Sequence, residues 1–302
     1  MNAAATTERS RALVFWSFAA IYIVWGSTYL GMRVMVEVVP PLFASASRML
    51  AAGAVLWLLA RARGVPRPDR SLWPRAFLLG ALFFLIGNGG TSWAVTRIES
   101  GLAALLAATT PLWTVVIGSA YQGWQSPPLR TVLGVLLGLT GVAVLVAPGD
   151  LLGGPHADLL GTLAITVASV GWAAGSVLSH RVHLHPDPAL ATAMKMLAGG
   201  VLLVAAGLAA GEGPRLLEMT LTPRVVVAWF YLVIFGSLLG FSAFNYLLRV
   251  TSPAKVSTSG YVNPLVAVVL GWLLLHEPIS ERTVVAATVI IGGVVLIRLQ
   301  KR

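Results

Sequence analysis

The chain has 302 residues, 57% hydrophobic and 11% charged, and its 21 Lys and Arg against 11 Asp and Glu leave a formal charge of +10. Soluble proteins carry about 25% charged residues, so this composition and the mean hydropathy of +0.83 exclude a cytosolic enzyme, and so much apolar surface excludes a disordered chain. Zero cysteines exclude a disulfide scaffold, a thiolate metal site and a Cys nucleophile.

A helix needs about 20 apolar residues to cross the hydrocarbon core of a bilayer. In chain order the sequence predicts spans at 12–32, 41–60, 76–96, 100–129, 131–149, 159–180, 188–211, 225–248, 256–276 and 283–300. Seven of these are free of charge; 41–60 is broken only by Arg48, 188–211 only by Lys195, and the last ends at Arg298, which can snorkel to the interface. Turn residues punctuate the short connections, among them Pro40-Pro41, Pro66 to Pro68, Pro127-Pro128, Pro148-Gly149, Pro186 to Pro188, Gly213-Pro214 and Pro253. The first apolar run follows Arg9 and Arg11 as a signal peptide would, but it is too long for one and lacks a small-residue cleavage site, so it is expected to be retained. The sequence therefore predicts an all-α integral membrane protein of ten transmembrane helices.

The charges set the expected orientation. With the N-terminus inside, fourteen basic and three acidic residues fall on the cytoplasmic side, five basic and eight acidic on the other. Basic residues gather inside in membrane proteins, so both termini are expected in the cytoplasm. Most of the +10 is then a topology signal and does not indicate a nucleic-acid surface. Two basic residues, Arg48 and Lys195, remain in the membrane.

The sequence also matches itself. At an offset of 147, Trp25 meets Trp172, Pro41 meets Pro188, Arg48 meets Lys195, and Met49-Leu50-Ala51 meets Met196-Leu197-Ala198. At 152 or 153, Pro111-Leu112 meets Pro264-Leu265, Arg130-Thr131-Val132 meets Arg282-Thr283-Val284, and Gly141-Val142 meets Gly293-Val294. Each half then has five spans, and an odd number sends the second half through the membrane in the opposite sense. Inverted repeats of this kind build transporters whose binding site lies between the halves near the midplane. The two units are expected at 12–148 and 158–300.

On these residues the chain resembles EamA-type members of the drug/metabolite transporter superfamily. Trp25-Gly26-Ser27-Thr28-Tyr29, Arg48, and the stretch Asn263-Pro264-Leu265 through Gly271 to His276-Glu277-Pro278 carry the resemblance. Gln122-Gly123-Trp124-Gln125 departs from it, standing where the family more often has a Gly-Glu pair. Within the superfamily the chain is most similar to YddG-like amino-acid exporters of bacterial inner membranes. That resemblance implies alternating access between two five-helix halves and export of small metabolites.

Arg48 and Lys195 each lie about eight residues into their spans. A cation at a helix centre costs roughly 2.5–3.5 kcal/mol, so each needs a partner. Both are candidate anchors for a substrate carboxylate; snorkelling along the helix is the other reading. No Asp or Glu falls inside a predicted span, which argues against a carboxylate proton relay and against organic cations as substrate. Trp25, Tyr29, Trp113, Trp172 and Tyr246 are candidates for an aromatic wall around an amino-acid side chain. Asn88, Thr110 and Asn263 are candidates for hydrogen bonds to its amino or carboxyl group, or for bonds between helices. Pro111 and Pro264 interrupt their helices, freeing the carbonyls of Ala107 and Gly260, and are candidate hinges. Gly134 and Gly138, with Gly292-Gly293 as counterpart, are expected at a close helix contact in the monomer or a homodimer.

Metal and cofactor motifs are not expected from this sequence: His183 and His185 stand two apart in a loop, and Gly87-Asn88-Gly89-Gly90 lies in a span without a phosphate-loop Lys. The expected function is a secondary transporter exporting amino acids, aromatic and other bulky neutral ones favoured, across the bacterial inner membrane. A drug or nucleotide-sugar carrier of the same fold is the alternative, and an integral-membrane enzyme the rival from another class.

Overall fold

The computed structural model describes residues 3–121, 129–146, 158–179, 182–250 and 259–298; Gln122 to Gln125 and His180 lie outside them. Among these residues every regular element is helical. Lipid offers no partner to backbone N–H and C=O groups, and a helix satisfies them within its own segment. Apart from two short connecting helical turns, Arg70–Leu72 and Gly213–Glu218, they are in order α1 (Ala3–Val36), α2 (Pro41–Ala62), α3 (Trp73–Gly80, widening into a π-helical stretch Ala81–Gly89 and closing as Gly90–Ala94), and α4 (Ser100–Ala107, then Thr110–Tyr121). There follow α5 (Leu129–Val146), α6 (Leu159–Ser179), α7 (Pro188–Ala209), and α8 (Pro223–Tyr231, a second π-helical stretch Leu232–Leu239, and Gly240–Val250). The last two are α9 (Ser259–Leu275) and α10 (Glu281–Arg298).

Seven segments are long and apolar enough to cross a membrane: Arg11–Val36, Pro41–Ala62, Arg70–Ala94, Ser100–Ala120, Leu159–Ser179, Pro188–Ala209 and Pro223–Phe244. The others, α5, α9 and α10, have 18, 17 and 18 residues. Large apolar side chains such as Phe15, Leu58 and Val227 are about two-thirds exposed, as on a surface bathed in lipid rather than water. Helix starts are sharp where the sequence placed prolines: Pro41, Pro188 and Pro223 occupy first-turn positions, where a missing N–H costs nothing. Asp187 caps α7 by accepting from Leu190 N at 2.8 Å, and Thr222 accepts from Val225 N in α8.

Small residues set the packing. α2 lies on α7 with Phe43 facing Gly207, Leu50 facing Gly200 and Leu197 facing Gly53. Each step forward in α2 meets an equal step back in α7, so the two helices run antiparallel. An offset of 147 turns the Gly53–Leu197 contact into the Leu50–Gly200 contact, the reciprocal pairing of a two-fold interface. α5 and α10 repeat the pattern. Gly141 faces Ile290 while Gly293 faces Gly138, with only 2.6 Å between a Cβ placed on Gly293 and the carbonyl oxygen of Gly134. The expected glycine contact therefore forms inside one chain. The two π-helical stretches also occupy corresponding places in the two halves.

A second close backbone crossing brings α3 against α7. A Cβ on Gly80 would stand 2.7 Å from Gly199 N and 2.8 Å from Lys195 O, both backbone atoms. Gly80→Val is expected to cost about 1–3 kcal/mol by overpacking and to lower the melting temperature of the detergent-solubilised protein. Gly118→Val, with nothing within 4 Å of its Cβ position, is expected to leave it unchanged. Thermal unfolding followed by size-exclusion chromatography compares the two.

Candidate functional site

Trp25 of α1 and Trp172 of α6, matched by the repeat, meet edge to face with ring centroids 6.3 Å apart. Phe241 of α8 packs against both, at 5.5 and 6.0 Å, Phe83 of α3 against Trp172 at 5.1 Å, and Phe244 against Trp25 at 5.1 Å. Offset and edge-to-face contacts at these distances are favourable arrangements of aromatic quadrupoles. Lys195 Nζ stands 5.5 Å over the Phe83 ring, a cation–π contact. The cluster therefore joins four helices and carries one of the two intramembrane cations at its margin.

The other cation is held through α8. Arg48 is 5% exposed, and its Nε donates to Ser237 Oγ at 2.8 Å. Trp25 Nε1 donates to the carbonyl of the preceding residue, Gly236, at 3.2 Å. Consecutive residues of one π-helical stretch thus receive the guanidinium and the indole. Such stretches are rare overall and frequent at functional sites. The ion pairs among the described residues are Arg97–Asp158 and Arg224–Glu37, each at 3.7 Å; neither includes Arg48 or Lys195. The π-helical stretch of α3 has its own polar knot. Asn88 Nδ2 donates to Phe83 O, five residues back, at 3.3 Å. Ser45 of α2 donates to Asn88 O at 3.2 Å and meets Ser92 Oγ at 2.7 Å.

The remaining sequence-predicted residues are placed elsewhere. Tyr29 is half-buried in a separate apolar core with Met32, Leu102 and Leu106. Trp113 makes no ring contact with the Trp25–Trp172 cluster among the described residues, and its enclosed Nε1 has no hydrogen-bond partner among them. Tyr246 is half-buried in α8, beyond Phe241 and Phe244. Thr110 closes the break that Pro111 imposes on α4: its Oγ1 donates at 2.7 Å to Ala107 O, the carbonyl that the proline frees. Asn263, with its carboxamide nitrogen turned toward α1, donates to Ile21 O and Tyr22 O at 3.1 Å and to Ser259 O at 3.2 Å. Both polar side chains are therefore engaged with backbone carbonyls. Pro264 sits within a continuous α9, whereas α4 breaks before Pro111 at Ala108–Thr109; the Pro111 ring lies 3.8 Å from a Cβ placed on Gly260.

Polar contacts that the sequence did not announce tie the halves together at one end of the bundle. Glu277, just beyond α9, accepts from Ser100 N and Ser100 Oγ at 2.9 Å and from Gly101 N at 3.2 Å. Glu212, beyond α7, accepts from Leu42 N at 3.1 Å and Phe43 N at 3.2 Å. Each carboxylate satisfies the unpaired N–H groups that open a helix and lies at the positive end of its dipole. Arg33 donates to Val95 O at the same end, and the two ion pairs join it there. A small open depression lined by residues including Glu99, Leu102, Glu277 and Thr283 lies here, away from the aromatic cluster. At the opposite end the Trp57 and Trp73 rings meet at a tilt, 6.0 Å between centroids, and Arg75 reaches His183 O at 3.5 Å.

Removing the Glu277 carboxylate orphans three donors at once. Glu277→Ala is expected to cost about 1–3 kcal/mol, read as a lower melting temperature. Glu99, beside it, is pushed above the ordinary carboxylate range by burial and then by the Glu277 charge, against the pull of Arg33. A carboxyl raised in this way destabilises the fold wherever pH exceeds its folded pKa, and the penalty disappears as pH falls through that pKa. Glu99→Gln is therefore expected to raise the melting temperature at pH 7, with the gain fading on acidification.

The EamA-like transporter family matches the chain twice, over residues 12–147 and 159–299. The chain is 38% identical to the uncharacterized inner membrane transporter YedA of Escherichia coli (strain K12) over 291 residues, 95% of this chain and 91% of that protein. It is 28% identical to the protein PecM of Dickeya dadantii (strain 3937), over 91% of this chain and 89% of that one. It is also 23% identical to the uncharacterized transporter YvbV of Bacillus subtilis (strain 168), over 94% and 91%. A crystal structure at 22% sequence identity has the same fold, with a TM-score of 0.62 over 94% of this chain and 95% of that one. The chain belongs to the EamA-like transporter family.

Proposed function

We propose that this membrane transporter exports amino acids, aromatic and other bulky neutral ones favoured, by alternating access across a bacterial inner membrane. The carrying observation is Arg48, a buried guanidinium whose hydrogen-bond partner is a neutral hydroxyl, anchored to the same π-helical stretch as Trp25. An uncompensated buried charge costs several kcal/mol, and a substrate carboxylate supplies the compensation. The aromatic cluster next to it suits an apolar or π-faced side chain. Lys195, over Phe83, is the corresponding cation of the second half.

On this reading the halves, residues 12–148 and 158–300, are inverted five-helix units with both termini in the cytoplasm. The antiparallel, reciprocal contacts of α2 with α7 and of α5 with α10 support that arrangement, as does the excess of basic residues on the cytoplasmic side. The end tied by Glu277 and Glu212 then faces outward and is closed, and these contacts are the ones that open when substrate leaves. Pro111, at the α4 break, is the better placed of the two hinges. The inner-membrane name of the relative YedA supports the location.

Purified protein in liposomes, challenged with labelled amino acids, nucleotide sugars and cationic drugs with and without a proton gradient, tests the reading. Uptake of amino acids is expected, falling about tenfold or more in Arg48→Ala, as for a charged hydrogen bond removed, and falling also in Lys195→Ala, with insertion intact. Unchanged rates in both variants, or transport of cations alone, would overturn it. Transport of nucleotide sugars alone would favour the carrier alternative.

A further inference from the structure

Substrate binding needs more than a cation in the right place: the guanidinium must present a defined edge. Arginine has five N–H donors in a rigid fork, and a carboxylate is gripped best by two parallel bonds. Ser237 is fully buried and takes Nε, which leaves the two terminal nitrogens as the edge available to a ligand. Gly236 stands next to that edge. A Cβ placed on it would lie 3.9 Å from Arg48 Nη2 and 2.9 Å from Thr28 Cγ2. Any side chain at 236 would therefore fill the space beside the terminal nitrogen and press on α1. The wider turn of the π-helical stretch keeps these consecutive residues more nearly on one face than an α turn does, and the Gly236 carbonyl simultaneously holds the Trp25 indole at 3.2 Å.

We propose that Ser237 and Gly236 are positioning residues for carboxylate recognition, Ser237 fixing the rotation of the Arg48 guanidinium and Gly236 keeping the space beside its terminal nitrogens open. The inference rests on the reading of Arg48 as the substrate anchor and deepens it. Sequence patterns hide this role, because a serine and a glycine in an apolar span look like ordinary small residues at a helix contact. Simple adhesion between α2 and α8 would also use the Arg48–Ser237 bond, but adhesion is indifferent to the charge of the substrate.

The test compares L-phenylalanine with L-phenylalaninamide, which lacks the carboxylate, as transported substrate or competitor in proteoliposomes. Ser237→Ala is expected to raise KM for phenylalanine about tenfold with little change in maximal rate, to leave the apparent affinity for the amide unchanged, and to be rescued by Ser237→Thr. A second variant, Gly236→Ala with Thr28→Ser, adds the methyl while removing the Thr28 methyl that it would strike. It is expected to weaken phenylalanine selectively as well. Equal losses for acid and amide, failure of Ser237→Thr to rescue, or an unchanged KM in both Ser237→Ala and the double variant would overturn the proposal while leaving Arg48 as anchor. If the wild-type protein moves no carboxylate-bearing compound, the reading of Arg48 fails and the proposal with it.

Discussion

Lipid accepts no hydrogen bonds, and that single constraint organises the molecule. Helices satisfy their own backbone groups, so departures from regular helix mark places where something else takes over the pairing. Thr110 takes the carbonyl that Pro111 frees. The Asn88 carboxamide donates to a carbonyl within the widened turn of α3. Trp25 takes a carbonyl of the corresponding turn in α8. Helix openings are treated in the same way, with Glu277 and Glu212 reaching from the second half of the chain to N–H groups in the first. Arg48 stands apart: its buried charge is met by a serine hydroxyl, and that imbalance is where a ligand gains most.

Close packing then gives these polar contacts their geometry. In a membrane, helices gain little by burying apolar surface against each other, since lipid tails are equally apolar, and short interhelical distances come from small residues. Gly80 against Gly199, and Gly134 and Gly138 against Gly293, bring backbones together where larger side chains would hold them apart. The reciprocal pairings of α2 with α7 and α5 with α10 place equivalent residues of the halves face to face. On the alternating-access reading proposed above, the halves exchange between two near-equivalent arrangements, and contacts confined to one end, such as that of Glu277, bias the choice between them.

The helices, their proline starts and the internal repeat were legible because each rests on local composition or on a periodic match. Trp25 and Trp172 stood at equivalent positions of the repeat in the sequence, and the structure brings their rings together. Other candidates parted from that cluster by their position along the helix or by their own hydrogen bonds. Tyr29 is one turn from Trp25 yet belongs to a different core, and Thr110 and Asn263 are engaged with backbone carbonyls. The partners of Ser237, Ser45 and Glu277 were illegible: serines are common at helix contacts, and a carboxylate in a connection gives no sign of which helix it will cap.

By itself, the sequence determined a helical membrane protein with two cations within its apolar spans, because hydrophobic length and charge act locally. Only the tertiary structure decided which residues meet Arg48, which helices the two glutamates cap, and where the helices widen into π turns. Those outcomes depend on partners about 170 to 190 residues away and on the rotation of each helix, which interhelical packing sets and local sequence does not encode.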